Sequence, residues 1–268
     1  MPKDNSNWKA LPNVAKGVAR WTLNKSRIPP NWKDVKISLD KKNDLEAFGK
    51  DSKGRTVYLY SMKHRKKLAS SISKRVRLFE MAYPKIQKRI SRDADKVEEA
   101  AVLRLIDKTA FRVGSERDTG AEKQAYGATA LNCGHVKIKG SNIKFEFDSK
   151  KGGHTVKEVT DKALANDLQK RCSNKSEKLF NTTDGEVRNY LKRIPGCQHL
   201  NIKDFRTFIG TTAAVNTIKE MPKPKNKSEF KKFRNQVGDT VAAVLGNTRP
   251  VALGSYIAPE VFEPWDRF

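Results

Sequence analysis

The period of the hydrophobic positions changes along this chain, from two near the start to helical over most of the rest. Val35-Lys36-Ile37-Ser38-Leu39 alternates as a half-buried strand does, and the turn Asp51-Ser52-Lys53-Gly54 feeds a second candidate strand, Thr56-Val57-Tyr58-Leu59-Tyr60. Pro29-Pro30 stiffens the entry to this sheet. Residues 1–66 are therefore expected to form a small β-rich domain. The run Lys63-His64-Arg65-Lys66-Lys67 carries no acid and marks the expected linker to a second domain, 67–268.

Beyond the linker, helical spacing prevails. Val102, Leu105, Ile106 and Thr109 make one stripe; Phe205, Phe208, Ile209, Thr212 and Ala213, within Asn201 to Glu220, make another. Phe230, Phe233, Val237, Val241, Val244 and Leu245 make a third, and Gly114 and Gly246 read as the stops of the first and third. Met221-Pro222-Lys223-Pro224-Lys225-Asn226-Lys227 is a basic, proline-broken connection. Strand periodicity interrupts the helices at His135 to Lys139, Ile143 to Phe147 and His154 to Val159, with turns at Gly140-Ser141-Asn142 and between Asp148 and Gly153. A three-stranded meander is marginal unless it packs on something, so it is expected to lean on the helices and present a turn to a partner. The fold class expected is α+β: a small β-rich N-terminal domain followed by a mostly α-helical domain containing a three-stranded β-meander.

Composition narrows the partner. The chain has 268 residues, with 55 Lys and Arg against 30 Asp and Glu, a formal charge of +25. Such an excess opposes compaction unless an anion relieves it, and a nucleic-acid backbone is the usual one. A membrane surface competes, but no long apolar run and no amphipathic anchor is present. Hydrophobic content of 37% with 12 phenylalanines is enough for real cores. Cys133, Cys172 and Cys197 have an odd count and no CxxC spacing, so they read as reduced thiols of an intracellular protein rather than a disulfide or zinc framework. The start Met1-Pro2-Lys3-Asp4-Asn5 is no secretory signal, and no phosphate-binding loop of the GxxxxGK[ST] type occurs.

Candidate chemistry then follows from a few positions. Tyr256 is a poor nucleophile by itself, since a phenol has a pKa of about 10; it becomes useful where cations stabilise the charge passing to a phosphate. Arg206 sits at the edge of the Asn201–Glu220 stripe, where packing can hold its guanidinium rigid for a bidentate phosphate contact, with Lys203 beside it. Arg112 follows the first stripe, Asn247 follows the third, and Lys150 and Lys151 stand in the second meander turn. Each has a plain alternative: a packed tyrosine, a snorkelling arginine, a helix-end cation, a turn asparagine and solvated turn lysines.

Taken in order, Arg112, a lysine in a hairpin turn, Lys203-Asp204-Phe205-Arg206, Leu245-Gly246-Asn247 and Tyr256 resemble the catalytic set of type IB DNA topoisomerases and, more distantly, of tyrosine recombinases. The likeness is greatest to the small poxviral and bacterial enzymes. Ile28-Pro29-Pro30-Asn31-Trp32-Lys33-Asp34-Val35 and Gly54-Arg55-Thr56-Val57-Tyr58-Leu59-Tyr60 are similar to that family's N-terminal β-domain, and Phe111-Arg112-Val113-Gly114, Tyr126-Gly127-Ala128-Thr129 and His135-Val136 to its catalytic domain. The resemblance implies that Tyr256 attacks a phosphodiester to form a 3′-phosphotyrosine, that Arg112 and Arg206 stabilise the transition state, that Lys150 protonates the leaving 5′-oxygen and that Asn247 hydrogen-bonds a non-bridging oxygen. It also implies DNA contacts from Tyr58, Tyr60, Lys203 and Lys151, and relaxation of supercoiled double-stranded DNA by a monomeric clamp. No cofactor, ATP or metal would be needed. The location would be the bacterial cytoplasm or nucleoid, or a virion or infected-cell cytoplasm.

Two departures accompany it. Many relatives carry histidine where this chain has Asn247, and the turn offers both Lys150 and Lys151; aligning Phe147-Asp148-Ser149-Lys150 with the family's turn favours Lys150. Two other functions compete. A site-specific tyrosine recombinase typically shows His-x-x-Arg where Lys203-x-x-Arg206 stands here, and a non-enzymatic basic DNA-coating protein would explain the charge alone.

Overall fold

The computed structural model describes residues 7–13, 19–52, 54–114, 126–149, 153–173 and 178–265. Its first strands are short: β1 (Trp8–Ala10), β2 (Arg20–Trp21), β3 (Arg27–Ile28), β4 (Lys33–Ser38), β5 (Leu45–Lys50) and β6 (Thr56–Tyr60). The sheet order β1-β4-β5-β6 is antiparallel throughout, and β2 and β3 pair separately. Alternation sends Ile28, Val35, Ile37 and Ala47 into a small core with Leu59 and Trp32, while Tyr58 and Tyr60 emerge on the opposite face beside Phe48. Glu46 is buried and satisfied by the Thr22 hydroxyl and the Asn24 amide.

The helix α1 (Met62–Asp93) follows at once, its start capped by Ser61 Oγ, which accepts from the His64 N–H at 3.0 Å. The basic run expected as a linker is thus helical: Lys, Arg and His suit an exposed helix face as well as a connection. The chain divides into two compact units, Met1–Ser71 and Ile72–Phe268.

In the second unit come α2 (Glu98–Thr109), the meander strands β7 (Val136–Lys139), β8 (Asn142–Ser149) and β9 (Gly153–Thr160), then α3 (Lys162–Ser173), α4 (Asp184–Arg193), α5 (Ile202–Lys219), α6 (Lys227–Leu245) and α7 (Arg249–Ser255). A 3-10 helix, Pro259–Trp265, closes the described chain. Residues Ala100 to Ile106 of α2 are all buried, so this helix runs through the core rather than along it. The inward residues of β8, Ile143, Phe145 and Phe147, join that core, which is the packing the meander needed.

Three expectations are corrected. The helix α2 stops at Thr109, not at Gly114; its C-cap is Ala110 in the left-handed conformation (φ 58°), and Phe111 onward is extended. On α5, Thr212 is exposed, and the buried positions are Ile202, Asp204, Phe205, Arg206, Thr207, Gly210, Thr211 and Ala214, because helices pack on it from more than one side. Cys133 and Cys172 form a disulfide with Cα atoms 5.5 Å apart, across 39 residues of sequence; only the tertiary approach of the end of α3 to the turn before β7 brings them together. Cys197 is buried and free.

Candidate active site

Arg206 is the centre of the arrangement. Its residue is only 4% exposed, and its charge is met by backbone rather than by a carboxylate. Nη1 donates to Ala110 O at the end of α2, and Nη2 donates to Leu245 O, the last residue of α6, at 2.8 Å. Both acceptors belong to helix C-termini, where carbonyls lack partners and the dipole favours a cation. Burial pushes the guanidinium below its ordinary value; the Tyr256 hydroxyl opposes that, and the Arg112 charge adds to it.

The two carbonyls are two residues from two further site residues. Arg112 lies two past Ala110, Asn247 two past Leu245, and Arg112 Nη2 donates to Asn247 Oδ1 at 2.5 Å. Arg112 owes its position to an extended segment held by the next loop: Ala128 N–H donates to Arg112 O and Thr129 N–H to Val113 O, both at 2.8 Å. Such close approach requires glycine. A Cβ on Gly127 would lie 2.4 Å from the Gly114 Cα. Asn247 is placed by the Gly246 stop (φ 59°), a conformation glycine adopts without strain.

Tyr256 caps the end of α7 and is 9% exposed. Its ring carries two cations at 5.1 Å, Arg206 Cζ and Lys203 Nζ. Thr211 fixes its backbone: the hydroxyl donates to Tyr256 O at 3.2 Å and accepts from Ala258 N–H at 3.1 Å. Arg112 and Arg206 also line a cleft with Tyr126, Phe147, Lys157 and Gly246.

Of the residues singled out in the sequence, Tyr256, Arg112, Arg206, Asn247 and Lys203 converge here. Lys150 and Lys151 lie outside the described residues, between the ends of β8 and β9. Tyr58 and Tyr60 belong to the first unit, where they are 42% and 38% exposed, and Tyr60 stacks on His64 with centroids 4.6 Å apart. Sequence reading passed over Thr211, whose hydroxyl gave no signal, and Lys157, whose signal was a lysine at an inward position of β9.

At this site Arg206 Nε and Asn247 Nδ2 are buried donors with no hydrogen-bond partner among the described residues, as are side-chain nitrogens of Arg20, Gln87 and Arg104 elsewhere in the chain. Neither Arg112 nor Arg206 pairs with a carboxylate among those residues, although the chain has many other ion pairs. The Tyr256 ring thus lies against positive charge that no carboxylate among the described residues offsets.

The family described as eukaryotic DNA topoisomerase I, catalytic core, matches residues 62–258. The protein called DNA topoisomerase 1B of Acanthamoeba polyphaga mimivirus is 27% identical over 259 residues, covering 88% of this chain and 76% of that one. With the match spanning most of the chain, the chain belongs to the eukaryotic DNA topoisomerase I catalytic-core family and is a DNA topoisomerase of type IB, an isomerase acting on DNA.

Proposed function

We propose that the protein relaxes supercoiled DNA by cutting one strand at a time through a 3′-phosphotyrosyl intermediate at Tyr256. The observation that carries this reading is the convergence of Arg206 and Lys203 on the Tyr256 ring, with Arg112 held against Asn247 and neither arginine paired to a carboxylate among the described residues. Arg206 Nε and Asn247 Nδ2 add buried donors that phosphodiester oxygens can fill.

In the proposed reaction Tyr256 Oη attacks phosphorus and the bond to the 5′-oxygen breaks. The developing charge spreads over the non-bridging oxygens, which Arg112, Arg206 and the Asn247 amide are preorganised to meet. The phenol passes its proton to solvent water, and the leaving 5′-oxygen gains one from the hairpin-turn lysine, Lys150 in this reading. The free strand then swivels, and the 5′-hydroxyl attacks the phosphotyrosine to reseal the strand. Because the phosphotyrosyl ester retains the energy of the broken link, neither ATP nor a metal ion takes part. The protein acts as a monomeric clamp on the duplex, with Tyr58 and Tyr60 as contacts of the first unit and Lys203 and Lys151 as contacts of the second.

The test is covalent trapping. Duplex labelled at the 5′ ends is mixed with protein and quenched with SDS. Wild type is expected to retain label on the protein, through the new 3′ end, and Tyr256→Phe to retain none while binding DNA equally well. Equal adduct from both proteins would move the nucleophile elsewhere.

A further inference from the structure

The meander strand β9 reverses the usual partition of apolar residues inward and charged residues outward. Its inward positions are Thr155, Lys157 and Val159, while Val156 faces out at 50% exposure. Lys157 is the register partner of Phe145, a fully buried residue of the inward face. A lysine inside and a valine outside is the reverse of what burial favours, so something must hold the ammonium there.

What holds it is the end of α6. The last carbonyls of a helix have no partner within it. Here Ala242 O accepts from Asn247 N–H at 2.9 Å, and Leu245 O from Arg206 at 2.8 Å. The carbonyl between them in the turn, Val244 O, accepts from Lys157 Nζ at 3.0 Å. Lys157 and Arg206 thus cap consecutive carbonyls, three and two residues ahead of Asn247. Burial, and next the Arg206 charge, push the lysine below its ordinary range, which marks how closely the two cations share the cleft.

We propose that Lys157 is a positioning residue of the cleavage reaction: by fixing the Val244 carbonyl it sets the end of α6, and through it the carbonyl that orients Arg206 and the turn that presents Asn247. This rests on the reading of Tyr256 as the nucleophile. Lys157 does not touch the scissile phosphate in this account. Its ammonium is spent on a backbone oxygen, and removing it lets the corner that carries two transition-state donors drift.

The experiment is single-turnover cleavage of a duplex at a site mapped by covalent trapping, with either oxygen or sulfur at the bridging 5′ position of the scissile bond. A thiolate departs without a proton donor, so sulfur rescues defects in proton delivery but not in transition-state positioning. Lys157→Met is expected to slow cleavage on the order of tenfold to a hundredfold on both substrates, with DNA affinity unchanged, the loss associated with misplacing catalytic groups by about an ångström. Lys157→Arg should recover most of the rate, because a guanidinium can reach the same carbonyl. Adding Lys157→Met to Arg206→Ala should cost little more than Arg206→Ala alone. Wild-type rates in the methionine variant would overturn the proposal, and so would a defect that disappears with sulfur, which would make Lys157 a proton donor. Should Lys157→Met melt below the assay temperature, failure of Lys157→Arg to cleave faster than Lys157→Ala at a permissive temperature overturns it equally. If wild type itself forms no adduct, it is the nucleophile reading that fails.

Discussion

The Arg112 guanidinium donates to the Asn247 side-chain carbonyl at 2.5 Å across 135 residues of sequence. The bond has two effects. It fixes which end of the amide faces Arg112, leaving Nδ2 as the donor that is buried without a partner, and it makes the position of each side chain depend on the other. An imidazole in place of Asn247 would have to act as acceptor toward Arg112 with one nitrogen and as donor with the other; the amide does both without a protonation requirement.

The two residues should therefore act as a unit. In a double-mutant cycle of Arg112→Ala and Asn247→Ala, single-turnover cleavage is expected to show a coupling of about 0.5–3 kcal/mol, the double variant being less impaired than the product of the single effects. Strict additivity would show that the contact has no part in the reaction.

Arg206 should tolerate no replacement. Its two Nη atoms hold carbonyls from two helices, which leaves Nε as the atom that can turn to a ligand. A lysine has one nitrogen and cannot bridge Ala110 to Leu245 while also meeting a phosphate. Arg206→Lys and Arg206→Ala are both expected to slow cleavage by on the order of a thousandfold, the scale for loss of one preorganised donor. Near-normal cleavage by the lysine variant would mean that charge alone suffices.

A pH effect on stability follows from Asp93 at the end of α1. The Arg92 side chain first, then the Tyr190 hydroxyl, with Arg89 and Arg92 adding charge, hold its carboxyl at about 2. A depressed carboxyl contributes stability that is complete above its unfolded pKa, near 3.9, and is lost as pH falls through that value toward 2. Thermal melts at pH 5 and pH 2.5 should show a smaller acid-induced drop for Asp93→Asn than for wild type. The same drop in both would place the acid sensitivity elsewhere.

Much of this arrangement is legible in sequence because the elements are periodic. The stripe from Phe230 to Leu245 and its Gly246 stop place Asn247 correctly, and the alternation in Ile143 to Phe147 marks the meander strand that packs on the core. What escapes sequence reading depends on the tertiary structure. Ala110 adopts a left-handed conformation that alanine seldom takes, at a cost of roughly 1–2 kcal/mol, and the carbonyl it turns outward is the one Arg206 holds. Gly114, five residues after the helix stripe ends, looks like the stop but serves the close approach to Gly127. Arg206 reads as an edge residue on a helical wheel; only the convergence of α2 and α6 buries it. The Cys133–Cys172 bond has no spacing signature at all. Lys157 alone had a signal that closer attention to strand parity would have caught.

Catalysis by Tyr256 without a metal or nucleotide is the central step of the proposed reaction. The direct measurement is relaxation of supercoiled plasmid in EDTA, with no ATP, by wild type and by Tyr256→Phe at equal DNA occupancy. Wild type is expected to give a ladder of topoisomers and the phenylalanine variant none. Relaxation by the variant, or a wild type that binds the plasmid and leaves its supercoiling unchanged, would contradict the proposed reaction.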